Sequence, residues 1–343
     1  MIDTQKKHKA LQGMMCFLFF ITLSTLSINA QTDTSRVYRN LILMDSILTE
    51  KYNNVNIDTN YIQRPSERFT LKARVNISGA SIETIGQLDG DIFHTKAEAD
   101  IKNTLSIAAT YRGITLGAAI NPALIAGRYK DYELNINSYG NRFGGEVIYQ
   151  RAKNFKGHIE MNDSYIVDLP NNILTVQTLN LNGYYVLNNK RFSYPAAFTQ
   201  SYIQRRSAGS VIIGASLHAQ DLENDTEKLN NTLATHLKTV NVGVGCGYGY
   251  NFVLRHNWLI HISSLPTFIV YGYRRMYIDN EQQTMDYSFP EVIITARGAV
   301  VHSWKKYFVG ATMVYNYSKT GQQERLEISN TKWRIRTFWG IRL

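Results

Sequence analysis

The chain has 343 residues and a formal net charge of +10 at pH 7. Hydrophobic residues make up 44% of it, which excludes an intrinsically disordered protein. Its Lys and Arg residues are scattered instead of forming a block with aromatics between, which argues against a nucleic-acid-binding surface. The 22 Tyr and only 6 Pro favour β-structure, because aromatic side chains pack well on a sheet whereas proline interrupts its ladder.

Residues 1–30 have the pattern of a secretory signal peptide. Lysines precede an apolar run at 14–28, and Ala30 offers a cleavage point. A helical membrane anchor is the less favoured alternative, because the run is too short to cross a bilayer comfortably. Cleavage would remove Cys16 and leave Cys246 alone, so the mature chain would form no internal disulfide.

Residues 31–66 form an N-terminal segment that is predicted to be partly helical. Val37, Leu41, Met44 and Leu48 recur at helical spacing. We expect a short amphipathic helix that packs beneath the strands that follow. Contact with an envelope partner is its alternative role.

Downstream of this segment the dominant sequence period is two. Leu71, Ala73 and Val75, for example, alternate with Lys72 and Arg74. A helix would instead repeat its apolar residues at intervals of three and four. The pattern predicts about twelve strands, at 69–84, 95–111, 114–121, 132–139, 143–150, 174–187, 208–220, 238–253, 257–272, 291–303, 307–318 and 331–343.

Short connections alternate with long polar ones along this series. The tight turns are predicted at 112–113, 140–142, 254–256 and 304–306. Short turns on one side and long loops on the other are typical of outer-membrane barrels.

One connection, residues 188–206, is too long for the short turn expected there. It carries Phe192, Tyr194, Arg205 and Arg206, which we select as candidate plug residues. The segment either folds into the lumen as a plug or contains a strand pair that the pattern does not reveal.

The final predicted strand separates its side chains by face. Ile335 and Trp339 share one parity, and Arg334 and Arg336 hold the other. In hydrocarbon an unpaired backbone group is costly, so a membrane sheet must close on itself, with apolar side chains toward lipid. Residues 67–343 are therefore expected to form an all-β, closed antiparallel transmembrane β-barrel of about twelve strands, preceded by a short periplasmic helix.

A soluble β-sandwich or lipocalin-like barrel is the competing interpretation. There the apolar parity would point inward, so alternation alone does not separate the two. The alternating connection lengths and the arginines of the last strand favour the membrane. The chain also ends on that strand, which looks like the C-terminal signal of the barrel-assembly machinery.

Charged residues of the polar parity are candidates for the lumen lining: Lys72, Arg74, Glu98, Asp100, Arg297, Arg334 and Arg336. Pairing of the first and last strands would bring Lys72 and Arg74 close to the last strand's arginines. The functional interpretation is an electropositive wall that favours anionic solutes. The alternative is an interior filled by its own salt-bridged side chains.

Few residues have a spacing that suggests chemistry. His261 and Ser263 share a parity and supply a base and a nucleophile, although polar lining explains them as well. Asp89, Asp91 and His94 form an acidic group with a base in the first outer loop, where such composition is ordinary. The spacing of His, Cys and carboxylates predicts no metal site, and without a phosphate loop we expect no cofactor.

Four stretches carry a family resemblance. They resemble a Bacteroidota outer-membrane β-barrel family known as domain of unknown function 4421, and they are NINSYGNRFGGEVIYQ at 135–150, GYYVLNNKRFSYPAAF at 183–198, QRRSAG at 204–209 and GYGYNF at 247–252. The resemblance spans about residues 58–343. It implies export to the outer membrane of a Gram-negative cell, and it implies no reaction, substrate or cofactor.

These observations predict an outer-membrane barrel without enzymatic activity that acts as a narrow or plugged pore, or as a binding component of the envelope. The expected partners are outer-membrane lipid, the barrel-assembly machinery and an unidentified solute or envelope protein. The alternatives are a structural or interaction protein without transport, and a membrane-embedded hydrolase that uses His261 or His94.

Overall fold

A computed structural model describes residues 34–88, 91–111, 114–120, 132–153, 155–162, 164–169, 174–224, 235–278, 281–284, 289–322 and 326–343. The predicted signal peptide and the turn predicted at 112–113 lie outside these residues. Helix α1 (Thr34–Asn53) lies where the helical spacing predicts it. None of the helices in the described ranges has the length and apolarity needed to cross a bilayer.

Strands dominate the rest of the described chain. They are β1 (Ile62–Gln63), β2 (Phe69–Leu88), β3 (Asp91–Ala99), β4 (Lys102–Tyr111), β5 (Ile114–Ile120), β6 (Tyr132–Tyr139), β7 (Phe143–Ala152), β8 (Phe155–Met161), β9 (Ser164–Leu169), β10 (Leu174–Val186), β11 (Ile203–Gln204), β12 (Ala208–Asn224), β13 (Thr235–Leu254), β14 (Trp258–Ile278), β15 (Glu281–Thr284), β16 (Val292–Trp304), β17 (Tyr307–Gln322) and β18 (Leu326–Arg342). A second helix, α2 (Tyr194–Phe198), and a 3₁₀ turn (Arg255–Asn257) interrupt them.

The long strands form one antiparallel sheet. Its order is β2, β4, β5, β6, β7, β10, β12, β13, β14, β16, β17 and β18, and each predicted strand overlaps one of these. The last strand, β18, also pairs with β2, the first strand of this series, from Arg342 opposite Thr70 to Leu326 opposite Gly86. The predicted all-β antiparallel architecture is therefore confirmed.

Two of the predicted segments were wrong. The strand predicted at 95–111 is divided into β3 and β4, because β2 is long enough to pair with both. One of the long polar connections, between the strands predicted at 143–150 and 174–187, contains β8 and β9, which extend the sheet from β3. Alternation continues across the break at 100–101, so the sequence period alone could not reveal it.

The two faces of the sheet reverse the polarity of a soluble protein. On one face, apolar side chains are exposed on successive strands, including Val244 (49%), Ile262 and Trp339 (51%). The opposite face contacts residues 188–206, and we call it the inner face. Its buried side chains include polar and charged ones, among them Lys72, Asn76, Asn251, His261, Arg297 and Arg342, together with apolar and aromatic ones such as Val301, Phe308 and Phe338.

Candidate functional site

Residues 188–206, which we call the plug segment, pack against the inner face. Phe192 and Tyr194 are buried, as are Pro195 and the alanines of α2. The segment also contains the short strand β11, which pairs with β1 through Ile62 opposite Gln204. The segment therefore combines features of both alternatives predicted for it. Much of it is buried against the inner face, and it contains one two-residue strand, β11, that pairs with β1.

Local sequence explains the shape of the plug segment. Ser193 caps α2 by accepting a hydrogen bond from the Ala196 N–H at 3.2 Å, and Pro195 stands in the first turn, where its missing N–H is not needed. Thr199 ends the helix and donates its hydroxyl to the Pro195 carbonyl at 3.1 Å. These bonds satisfy backbone groups that burial would otherwise leave unpaired.

Charged side chains of β2 and β18 donate hydrogen bonds to the plug segment. Lys72 Nζ donates to the Phe198 carbonyl at 3.0 Å, and Arg342 Nε donates to the Gln200 carbonyl at 3.2 Å. Hydrogen bonds from ionised donors are stronger than neutral ones. Helix α1 adds a third contact, in which the Tyr52 hydroxyl donates to the Ser201 carbonyl at 2.9 Å.

A chain of hydrogen bonds joins the plug segment to β13 and β14. Asn251 Nδ2 donates to the Ser193 carbonyl at 2.9 Å and to Gln204 Oε1 at 3.0 Å. Asn251 Oδ1 lies 2.7 Å from His261 Nδ1, and His261 Nε2 lies 2.9 Å from Ser263 Oγ. We call Asn251, His261 and Ser263 the relay.

The neighbours of the relay fix its hydrogen-bond direction. Gln204 Nε2 donates to the Arg191 and Arg206 carbonyls, so its Oε1 must accept from Asn251. Asn251 Oδ1 is then an acceptor for the His261 Nδ1–H. Nε2 of a neutral His261 is consequently free to accept from the Ser263 hydroxyl.

Aromatic rings cover the relay on the side of the plug segment. The Tyr194 hydroxyl lies 2.9 Å from Ser263 Oγ. Tyr194 and Phe198 each place their ring centroid 5.1 Å from that of His261. The Tyr139 ring stacks on Tyr194 at 6.3 Å. Water is therefore excluded from the relay in this conformation.

Beyond the plug segment, cationic side chains line the inner face. Arg297 pairs with Glu146 at 3.3 Å between Nη2 and Oε2, and both are nearly buried. Arg74 Nε donates to Ser106 Oγ at 3.1 Å, and Arg336 Nε donates to Asn76 Oδ1 at 2.7 Å. A cavity of about 30 Å³ remains here, with space for about one or two waters.

That cavity shows which predicted lumen residues come together. Arg334 and Arg336 line it with Glu146, Tyr139 and Phe198. The other arginine candidates, Arg74 and Arg297, bond to inner-face partners as described above, and Lys72 lies beneath α2.

Other predicted residues lie elsewhere. Glu98 is on β3, outside the twelve-strand series, where Lys96 Nζ lies 2.8 Å from its Oε1. Asp100 pairs with Lys156 at 3.2 Å. Residues facing Lys72 and Arg74 on β4 are instead Ala108 and Ser106. The prediction assigned Glu98 and Asp100 to the lumen lining because it treated 95–111 as one strand.

The two arginines of the plug segment are not part of its buried core. Arg205 and Arg206 are exposed, and the Arg206 guanidinium lies over the Tyr61 ring at 6.0 Å. Only Phe192 and Tyr194 among the four candidate plug residues fill the inner face.

The first outer loop does not assemble the predicted acid/base group. His94 Nε2 contacts Glu83 at 2.6 Å, whereas Asp91 accepts from Asn162. Asp89 lies outside the described residues. Among the residues that the structure describes, no cluster of His, Cys, Asp and Glu could hold a metal ion.

Sequence reasoning missed the residues that complete the relay. Asn251 stands directly opposite His261 on the neighbouring strand. Asn251 lies on the polar parity of β13, so the sequence alone could mark it as an inner-face residue. Only the pairing register of β13 with β14 connects Asn251 to His261. Gln204 and Tyr139 likewise gain their roles from contacts distant in sequence.

Comparison with known proteins gives a family. No curated protein matches the chain. Among solved structures, the outer membrane protease OmpT from Escherichia coli aligns with 80% of this chain and 97% of its own, at 8% identity and a TM-score of 0.41. The outer membrane protein OprG from Pseudomonas aeruginosa aligns with 82% of this chain and 98% of its own, at 10% identity and a TM-score of 0.28. The family described as Domain of unknown function (DUF4421) matches residues 56–342, and the chain therefore belongs to that family.

Proposed function

We propose that residues 67–343 form a closed twelve-stranded barrel in the outer membrane, and that the plug segment keeps this barrel from acting as an open pore. The observation that carries the proposal is the reversed polarity of the sheet. Exposed Val244, Ile262 and Trp339 suit acyl chains, whereas buried Lys72, Asn251 and Arg297 suit a lumen. A sandwich or lipocalin would bury the apolar parity instead.

Closure is supported by the pairing of the first and last long strands. Backbone N–H and C=O groups of an edge strand have no water to bond in a bilayer, so an open edge is not tolerated there. The pairing of β18 with β2 runs from Arg342 to Leu326 and covers both potential edges. The same register places the last strand's arginines beside Lys72 and Arg74.

The position of the plug segment supports a resting state in which the barrel does not conduct ions. It lies near the tight turns, because it bonds to Asn141 of one turn and to Arg342 at the chain's end. The signal-like pattern at 1–30 supports export, which would place this end in the periplasm. Beyond the plug segment, Arg334, Arg336 and Phe198 line a cavity of about 30 Å³.

An opened lumen should favour anions. Lys72 lies close to the like charges of Arg74, Arg336 and Arg342. Such a concentration of positive charge in a narrow space attracts anionic solutes.

Planar-bilayer recording of the mature chain, residues 31–343, tests the proposal. Wild-type protein should be silent. A variant with a Gly-Ser linker in place of residues 192–201 should show discrete conductance with anion selectivity. A Gly-Ser replacement of β9, which lies outside the twelve-strand series, is the matched control and should stay silent. A folded plugless barrel that never conducts, or a wild type that conducts equally, would contradict the proposal.

A further inference from the structure

The relay places three residue types in the order that nucleophilic catalysis requires. A nucleophile needs a base within hydrogen-bond reach and a third group that orients the base. Ser263 Oγ lies 2.9 Å from His261 Nε2, and His261 Nδ1 lies 2.7 Å from Asn251 Oδ1. The bonding direction derived above leaves the base nitrogen as the acceptor of the serine proton.

Arg297 adds positive charge beside this nucleophile. It stands opposite Ser263 on the neighbouring strand, and cross-strand pairs place their Cβ atoms about 5 Å apart. Its Nε is buried without a hydrogen-bond partner, although Nη2 is paired with Glu146. A buried donor without a partner can stabilise negative charge that develops on a substrate oxygen.

Tyr194 occupies the position that a substrate would need. Its hydroxyl lies 2.9 Å from Ser263 Oγ. The small cavity is bordered by Tyr139 and Phe198, and both rings stack on Tyr194. Tyr194 therefore contacts both the serine and two of the rings that border the cavity.

We propose that Ser263, His261 and Asn251 form a masked hydrolase site for small anionic carboxylic esters, with Ser263 as nucleophile, His261 as base and Asn251 as the residue that positions the base. Arg334 and Arg336, which line the cavity, account for the anionic preference. The site rests on the proposed barrel for its access route, but its chemistry depends only on these side chains.

The reaction would proceed in two balanced steps. Ser263 Oγ bonds to the ester carbonyl carbon while its proton passes to His261 Nε2. The bond from that carbon to the alcohol oxygen breaks, and His261 returns the proton to the departing alkoxide. Water then attacks the acyl-serine by the same route, releasing a carboxylic acid and restoring the Ser263 hydroxyl.

Labelling with an alkyl fluorophosphonate tests the site. Phosphonylation joins Ser263 Oγ to phosphorus and expels fluoride, while His261 accepts the proton. The mature protein should be labelled slowly at Ser263, as located by peptide mass spectrometry. Tyr194→Ala should raise the labelling rate about tenfold or more by removing the mask, and His261→Gln should lower it at least about 100-fold. The control Ser216→Ala alters an inner-face serine outside the relay and should label like wild type.

A second readout tests the substrate class. Tyr194→Ala protein should release nitrophenol faster from 4-nitrophenyl hemiglutarate, an anion, than from 4-nitrophenyl acetate. Arg336→Gln in that background should remove the preference.

Heat-modifiable gel mobility reports separately on whether the barrel has formed. Folded wild-type and Tyr194→Ala proteins that remain unlabelled at Ser263 would overturn the hydrolase site while leaving the barrel intact. If Tyr194→Ala does not fold, Tyr194→Leu also removes the ring while keeping more of the packing, and it must then show the faster labelling. Undiminished labelling of folded His261→Gln would also overturn the site.

Discussion

Replacing Glu146 by Gln should destabilise the protein far more than replacing Glu98 by Gln, although Glu98 has the shorter ion pair. Arg297 and Glu146 are 3.3 Å apart with side chains 6% and 10% exposed. Lys96 and Glu98 are 2.8 Å apart but 44% and 53% exposed. Burial, not distance, should therefore decide the size of the effect.

Coulomb's law shows why. Unit charges 3.3 Å apart attract by about 5 kcal/mol at an effective dielectric constant of about 20, whereas charges 2.8 Å apart attract by about 1.5 kcal/mol in water. Removing one partner of a buried pair leaves an uncompensated charge, which costs about 3–5 kcal/mol. An exposed pair contributes only about 0.2–1 kcal/mol.

Urea unfolding of the mature protein in lipid vesicles measures both variants. Glu146→Gln should lower the free energy of unfolding by about 3 kcal/mol or more, and Glu98→Gln by less than about 1 kcal/mol. The double variant Glu146→Leu with Arg297→Met should lose less than Glu146→Gln, because it leaves no buried charge. Equal losses for the two single Gln variants would refute the reasoning.

Three further predictions use other parts of the fold. Ile262→Arg should destabilise the inserted protein by about 2–4 kcal/mol, as measured by folding into vesicles. Tyr165→Arg on β9 is similarly exposed, at 59% against 61%, and should have no such effect. Gly249→Ala should loosen the plug segment and raise bilayer conductance, because its Cβ would lie 3.0 Å from Ile212 Cδ1 and 3.1 Å from Phe192 Cζ, so that the Phe192 ring must shift. Gly183→Ala would place its Cβ 4.0 Å from the nearest atom, the Ala215 carbonyl oxygen, and should leave conductance unchanged. The hydrogen bond and charge of Lys96 lower the pKa of Glu98, so the pair's small stabilisation is present at neutral pH and lost as the pH falls through the folded-state pKa. That dependence should be absent from unfolding curves of Glu98→Gln.

Much of the sheet follows from the sequence because alternation is a local property. Each pleat turns successive side chains to opposite faces, so a run such as Leu71 to Val75 identifies its own strand. The break between β3 and β4 has no such local signal. It depends on how far β2 extends beyond β4, and the extension of β2 is held by pairing with β3 on one side and β18 on the other.

The candidate site follows less well, because its contacts join residues distant in sequence. His261 and Ser263 could be selected from their shared parity. Asn251 joins them only through the register of β13 on β14, and Tyr194 only through the fold of the plug segment. The segment itself was found because it exceeded the length of a short turn.

The assignment of faces can be measured directly with Cys246, which is exposed on the apolar face. A bimane fluorophore attached there in the mature protein, reconstituted into vesicles, should be quenched strongly by brominated lipid and little by aqueous iodide. Strong iodide quenching without lipid quenching would contradict the account, because it would mean that this face of the sheet meets water.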